Sequence, residues 1–396
     1  MLSRKVQSIS PSPTLVIDAK AKQMLRDGID VVGFGAGEPD FETPQHIKEA
    51  AVQAIAAGFT RYTPVAGALE LREAICEKLH NDNQLQYQPQ EIIVSNGAKH
   101  SLFNALAALL NPGDEVIIPA PYWVSYPELV KLNDGVPVIA PTTAAENFKL
   151  TAETLARLYT PRTKAVILNS PNNPTGQVYT RRELEALAEF ILQHNLYVIA
   201  DEIYEKLIYD RQEHFSIAAL GPEIKARTIV VNGVSKAYAM TGWRIGYAAA
   251  AADIAALMNS VQSHATSNAN AIAQKAATAA LRGPQDCVAE MKAAFAQRRN
   301  YMVQAVKQLP ALTCVEPQGA FYLFVDISPL FGRTYRGQVI TGSVDFAAQL
   351  LEHAQVAVVP GTAFGAPDYL RFSYALHLTQ IEKGMARLAQ FVNNLE

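Results

Sequence analysis

Residues 91–119, EIIVSNGAKHSLFNALAALLNPGDEVIIP, decide the fold. An apolar run at 91–95 breaks at Asn96-Gly97. Leu102, Leu106 and Leu109 then recur at spacings of four and three, the period of a helix with one buried face. A turn follows, and a second apolar run occupies 115–119. Outward from this unit, runs at 165–168, 196–200, 228–231 and 244–249 read as further strands. Leu184, Leu187 and Ile191 mark another helix face between two of them. Strand and helix in alternation imply an α/β fold, a mostly parallel central sheet flanked by helices on both faces.

After about residue 284 the pattern changes. Val288, Met291, Phe295, Met302 and Val306 line a long helix, and separated strand-like runs at 320–326, 356–359 and 369–375 indicate a smaller α+β unit. Near the start, Thr43 reads as the cap of a helix, with Pro44 at its first position and Gly58 past its end. The organisation expected is an N-terminal arm at 1–13, a small domain from 14–45 and 285–396, and a large domain at 46–284.

Composition narrows the class. The 396 residues suffice for two or three packing units, and 49% are apolar. Lys plus Arg number 34 against 37 Asp plus Glu, a net charge of −3 that gives no electrostatic footprint for nucleic acid. No apolar run approaches the ~18 residues of a membrane span, and residues 1–13 lack the apolar core of a secretory signal. Cys76, Cys287 and Cys314 are scattered and odd in number, against a disulfide framework. Gly33-Phe34-Gly35-Ala36-Gly37 begins like a dinucleotide fingerprint, but its third glycine is misplaced. No GxxxxGK[ST] or HExxH occurs and the eight histidines are dispersed, so no metal site is expected. These features together point to a cytoplasmic enzyme.

In open α/β sheets ligands gather at the carboxyl ends of strands. Here those ends carry Asn96-Gly97-Ala98-Lys99, Pro121-Tyr122-Trp123, Ser170 to Gly176, Asp201-Glu202-Ile203-Tyr204 and Asn232 to Lys236. Singly these residues read blandly: Lys236 as a solvated loop charge, Asp201 as a cap or ion-pair partner, Trp123 as a buried aromatic, Arg371 as half of a salt bridge. Together they do not. A lysine at such a rim becomes a nucleophile or base once its pKa falls or its charge is removed as an imine. A carboxylate at a neighbouring rim position can hold a heterocyclic nitrogen protonated.

The segments SKAYAMTGWRIGY (235–247), SPNNPTG (170–176), ADEIYE (200–205), APYWVSYPE (120–128) and GEPDF (37–41) resemble the motifs of fold type I pyridoxal-phosphate aminotransferases. With RYTPVAG (61–67) and LRFSYA (370–375), nearly the whole chain is similar to the class I family, in its bacterial-type aspartate and aspartate-prephenate subgroup. The resemblance implies pyridoxal 5'-phosphate as cofactor, with Lys236 as its Schiff-base partner and proton carrier. It implies Asp201 at the pyridine nitrogen, Asn173 and Tyr204 at the phenolic oxygen, and Trp123 stacked on the ring. For the phosphate it implies Arg244, the helix start at Gly97, Ala98 and Lys99, and Tyr62 of a neighbouring subunit, hence a homodimer with shared active sites. Gly233 stands where some relatives carry a phosphate-binding serine, and whether Ser235 substitutes stays open.

For the substrate, the resemblance implies Arg371 at the α-carboxylate, in the bidentate geometry a guanidinium favours. Gly37, Trp123 and Asn173 are further contacts, and Lys99 and Thr14 serve a distal carboxylate. The activity implied is ping-pong transfer of the amino group of L-aspartate to 2-oxoglutarate, giving oxaloacetate and L-glutamate. Alternatives are prephenate transamination to arogenate, then aromatic or alanine transamination, then elimination. Some prephenate-competent members carry a lysine where Ser10 stands, a departure here. A non-enzymatic pyridoxal-phosphate sensor is a different class, disfavoured because the chain keeps Lys236 and Arg371 and shows no appended helix-turn-helix unit.

Overall fold

A computed structural model describes residues 2–11, 13–309 and 311–396. Met1 and Ser12 of the expected arm, and Pro310 of the expected smaller unit, lie outside these. Among the described residues, a seven-stranded sheet forms the centre. Its order from edge to edge is Ile92–Ser95, Gly246–Ala249, Thr228–Gly233, Tyr197–Asp201, Thr163–Asn169, Glu115–Ala120 and Val136–Pro141. The last five are joined by parallel ladders. Gly246–Ala249 pairs antiparallel with both of its neighbours, so it alone runs backwards. The other six strands therefore deliver their carboxyl ends to one rim.

Alternation within the strands explains the two helical layers. Val116 and Ile118 face the helix Ala98–Leu109, which buries Leu102, Leu106 and Leu109 against them. Ile117 points the other way, into a core shared with Leu184, Leu187 and Ile191 of the helix Arg181–Gln193. The edge strand Val136–Pro141 is not evident from sequence. It carries Pro137 and Pro141, which suit an edge that need not donate on both sides, and it leaves Val136 and Ile139 exposed.

The C-terminal part packs a second, antiparallel sheet, ordered Val359–Pro360, Tyr369–Ser373, Tyr322–Asp326 and Thr313–Cys314. The apolar run 356–359 splits: Val356–Ala357 pairs parallel with Val32–Gly33, while Val359 and Pro360 join the antiparallel sheet. The helix Asp286–Lys307 buries Met291, Phe295, Met302 and Val306 in the same core as Phe34, Phe321 and Phe372. Tyr204, Leu207 and Tyr209, just past the strand ending at Asp201, belong to that core too. Two backbone N–H groups, of Gln318 and Gly319, donate to the carbonyl of Gly176 at 2.9 and 2.8 Å. The rim loops are thus fixed against the C-terminal part.

One expected cap is corrected. The helix near residue 44 spans Gln45–Ala56 with Pro44 at its cap position. Thr43 instead donates to the carbonyl of Ala239 at 2.7 Å and accepts from the indole of Trp243 at 3.0 Å, tying this segment to the lysine-bearing loop. No described helix is long and apolar enough to cross a membrane.

Gly246 makes the tightest approach between sheet and helix. A Cβ there would lie inside the backbone of Gly97 and Ala98. Gly246→Ala should force the strand edge and the helix start apart. The expected cost is about 1–3 kcal/mol, read as a lower urea midpoint with an unchanged m-value.

Candidate active site

The rim and the C-terminal sheet enclose a cavity of about 450 Å³. Asp201 ends a strand laddered on both sides, so its carboxylate is placed by the sheet. The side chain is 4% exposed; Tyr126 Oη donates to Oδ2 at 2.7 Å and Ile203 N to Oδ1 at 3.2 Å. Burial raises its pKa to about 6, against the pull of those two donors. At neutral pH it is mainly charged, a buried anion at the cavity floor.

Lys236 follows the strand Thr228–Gly233 and reaches across the cavity to the carbonyl of Gly37 at 2.5 Å. Burial lowers its pKa to about 8, with Arg244 and Arg371 adding to the effect and Glu38 opposing it. A lysine so placed exchanges protons near neutrality.

Arg371 sits in the strand Tyr369–Ser373 and is 2% exposed. Its Nη1 donates to Asn173 Oδ1 at 3.0 Å and its Nη2 to the carbonyl of Gly35 at 2.9 Å. Its Nε is buried with no hydrogen-bond partner among the described residues. Burial lowers the guanidinium pKa, though such a group stays charged in proteins. Asn173 is held in turn by Asn169, whose Oδ1 accepts from the Asn173 N–H at 2.8 Å.

At the other end, Arg244 donates to the carbonyls of Thr241 and Asn96 at 2.9 and 3.2 Å. It stands beside the start of the helix Ala98–Leu109, whose free N–H groups and dipole favour an anion. Gly97, at φ +86°, is needed there: a Cβ would collide with the Arg244 guanidinium. Lys99 Nζ lies 4.8 Å over the Trp123 ring, and its pKa is lowered by burial and then by Arg244.

The cavity brings together Lys236, Asp201, Tyr204, Ala98, Lys99, Trp123, Asn173, Arg244, Gly37, Arg371 and Thr14. Ser235 also lines it. Gly97 does not; it backs the cavity through Arg244. Tyr62 does not either, and it is 90% exposed. Tyr126 and Tyr322, which no sequence motif marks as functional, also stand at the cavity wall. The available signal is a hydroxyl among apolar neighbours, in AFYLFV for Tyr322 and beside Pro127, Leu129 and Val130 for Tyr126. Lys22, from the helix Pro13–Arg26, lines the mouth along with Thr14.

Behind Asp201, Glu202, Glu205 and His214 form a buried group with one ligand-type atom each inside 4.8 Å. Charge balance accounts for it. Lys78 pairs with Glu205, Asn83 donates to Glu205 at 2.8 Å, and His214 Nε2 lies 3.1 Å from Glu202. Burial works against the charge of Glu205, but Lys78 and His214 bring its pKa to about 2. Burial likewise opposes a charge on His214, yet Glu202 and Glu205 outweigh it and raise its pKa. His214 therefore contributes stability fully below its ordinary value of 6.5 and loses it as pH rises through the raised folded value. In stability measured against pH, His214→Gln should lie furthest below the parent in acid and approach it as pH rises. A gap independent of pH would show that the proton is not involved.

Known proteins match this chain over its whole length. A profile of the family described as aminotransferase class I and II matches residues 29–388. An aspartate aminotransferase of Bacillus sp. (strain YM-2) is 52% identical, with 99% of each chain covered. An aspartate/prephenate aminotransferase of Nitrosomonas europaea is 45% identical, covering 99% of this chain and 100% of the relative. Among solved structures, the aspartate aminotransferase from Rhizobium meliloti superposes with TM-score 0.97 at 44% identity, 100% of both chains covered. That from Thermus thermophilus with maleate gives 0.93 at 45% identity, 99% of both covered.

Proposed function

The chain belongs to the class I and II aminotransferases, and from this we propose that it is a pyridoxal-phosphate enzyme moving the amino group of L-aspartate to 2-oxoglutarate. The observation that carries the reading is the convergence of Lys236, Asp201, Arg244 and Arg371 in one cavity. Relatives named for aspartate aminotransfer support the donor, and the similar Thermus thermophilus enzyme was solved with maleate, itself a small dicarboxylate.

The residues fit the cofactor. A buried carboxylate suits a protonated ring nitrogen, a helix start with an arginine suits a phosphate, and a tryptophan face suits a flat ring. Bound there, pyridoxal phosphate supplies an electron-accepting ring conjugated to the substrate nitrogen. Asp201 holds the ring nitrogen's proton by charge, and Tyr126 keeps that carboxylate oriented. Tyr204 donates to the phenolic oxygen. Arg244 and the backbone N–H groups of Ala98 and Lys99 grip the phosphate. Arg371 takes the α-carboxylate, its unpartnered Nε being a donor available for it. In each half-reaction Lys236 Nζ would carry the proton between the substrate Cα and the cofactor C4′. Its lowered pKa suits that exchange. Lys99 and Thr14 meet the distal carboxylate.

On the same reading Tyr62, fully outside its own cavity, serves the phosphate of a second subunit, so the working form is a homodimer in the cytoplasm. The chain then divides into an arm at 1–13, a small domain of 14–45 with 285–396, and a large domain of 46–284. Prephenate is a second acceptor-side candidate, supported by relatives named for both substrates.

Lys236→Ala should lower turnover by about 10²–10⁴-fold and abolish the visible absorption of the lysine-bound cofactor; full activity would overturn the assignment. Lys99→Glu should depress kcat/KM for aspartate by roughly 10- to 100-fold and leave alanine and phenylalanine much less affected. Equal losses for all three donors would remove Lys99 from the distal-carboxylate site. Assaying prephenate beside 2-oxoglutarate decides the second reading.

A further inference from the structure

Tyr322 is among the largest side chains sealed in the protein, at 0% exposed, and the proposed chemistry gives it no task. It lies in the C-terminal strand Tyr322–Asp326, paired directly with the strand that holds Arg371. Its hydroxyl is 2.9 Å from that of Tyr204, and either can donate. The Arg371 guanidinium sits 4.4 Å from the centre of the Tyr322 ring. A Cβ on Gly37 would stand 3.6 Å from the Tyr322 hydroxyl, which therefore lies directly beneath the loop that bonds both Lys236 and Arg371.

Each phenol has one hydrogen, so only one of the two can donate in the shared bond. Whichever donates has nothing left to give elsewhere. Burial raises the pKa of both, and both stay protonated at neutral pH. Arg371 bears on both phenols, but its guanidinium packs against the Tyr322 ring, and for Tyr322 it is the largest influence after burial. The phenol nearer the cation is the stronger acid and the better donor.

We propose that Tyr322 is a positioning residue, whose hydroxyl donates to Tyr204 and thereby commits the Tyr204 hydrogen to the cofactor side of the cavity. This rests on the reading that Tyr204 serves the cofactor's phenolic oxygen. It also places Tyr322 between that oxygen and the arginine that takes the substrate carboxylate, bonded to Tyr204 through its hydroxyl and packed on Arg371 through its ring.

Tyr322→Phe removes the hydroxyl and keeps the ring on which Arg371 packs. The readout is the pH midpoint of the cofactor's visible absorption change in the loaded protein without substrate. A donor at the phenolic oxygen favours negative charge there and holds this midpoint down. Tyr204→Phe should therefore raise it by about 1–2 units, and Tyr322→Phe by a smaller amount in the same direction. The double variant should match Tyr204→Phe alone, since Tyr322 acts through Tyr204. A midpoint unmoved by Tyr322→Phe while Tyr204→Phe moves it would overturn the proposal, as would full additivity. A midpoint unmoved by Tyr204→Phe would overturn the reading of Tyr204 itself, and the proposal with it.

Discussion

Everything at the site is arranged about a carboxylate that the sheet will not let move. Asp201 is bonded through parallel ladders to strands on both sides, and its side chain is buried where a charge is costly. Two donors, Tyr126 and the Ile203 N–H, keep it mainly ionised at neutral pH. Three cations share the cavity with this fixed anion: Lys236 and Arg244 from the stretch after the next strand, and Arg371 from near the far end of the chain. A chain of net charge −3 thus concentrates positive charge in one cavity.

The C-terminal part completes the site by packing as much as by chemistry. Phe295, Phe321 and Phe372 share a core with Tyr204 and Leu207, so the loop after Asp201 is held from outside the main sheet. Gly176 accepts two backbone bonds from residues 318 and 319, which fixes the loop carrying Asn173. Asn173 and Gly35 in turn hold the two outer nitrogens of Arg371. Three stretches far apart in sequence meet at one guanidinium.

The sheet was legible because its buried strands are short apolar runs followed by helix-period stretches, as at 91–119. The edge strand Val136–Pro141 was not, since an edge can hold prolines and exposed apolar residues that break the pattern. Nor does periodicity report direction, so the reversal of Gly246–Ala249 emerges only from its pairing. At the site, the rim positions were legible because strand ends cluster. Tyr126 and Tyr322 are not legible in this way, because a buried phenol looks like core until its hydroxyl is seen to have a partner. Local sequence makes Thr43 a cap, but a contact 196 residues away claims its hydroxyl. The Glu202, Glu205 and His214 group lies on one stretch after a strand end, but Lys78 and Asn83 come from the distant helix Leu69–Asn83, a juxtaposition no spacing rule encodes.

The nested contact of Gly246, Gly97 and Arg244 has an effect on how such a chain can drift over generations. A side chain at Gly246 strikes the backbone at Gly97, and a side chain at Gly97 strikes the Arg244 guanidinium. Neither glycine can be exchanged without displacing the other or the arginine. A substitution at either glycine therefore reaches beyond its own position, whereas one at the exposed Val136 meets no such nested contact.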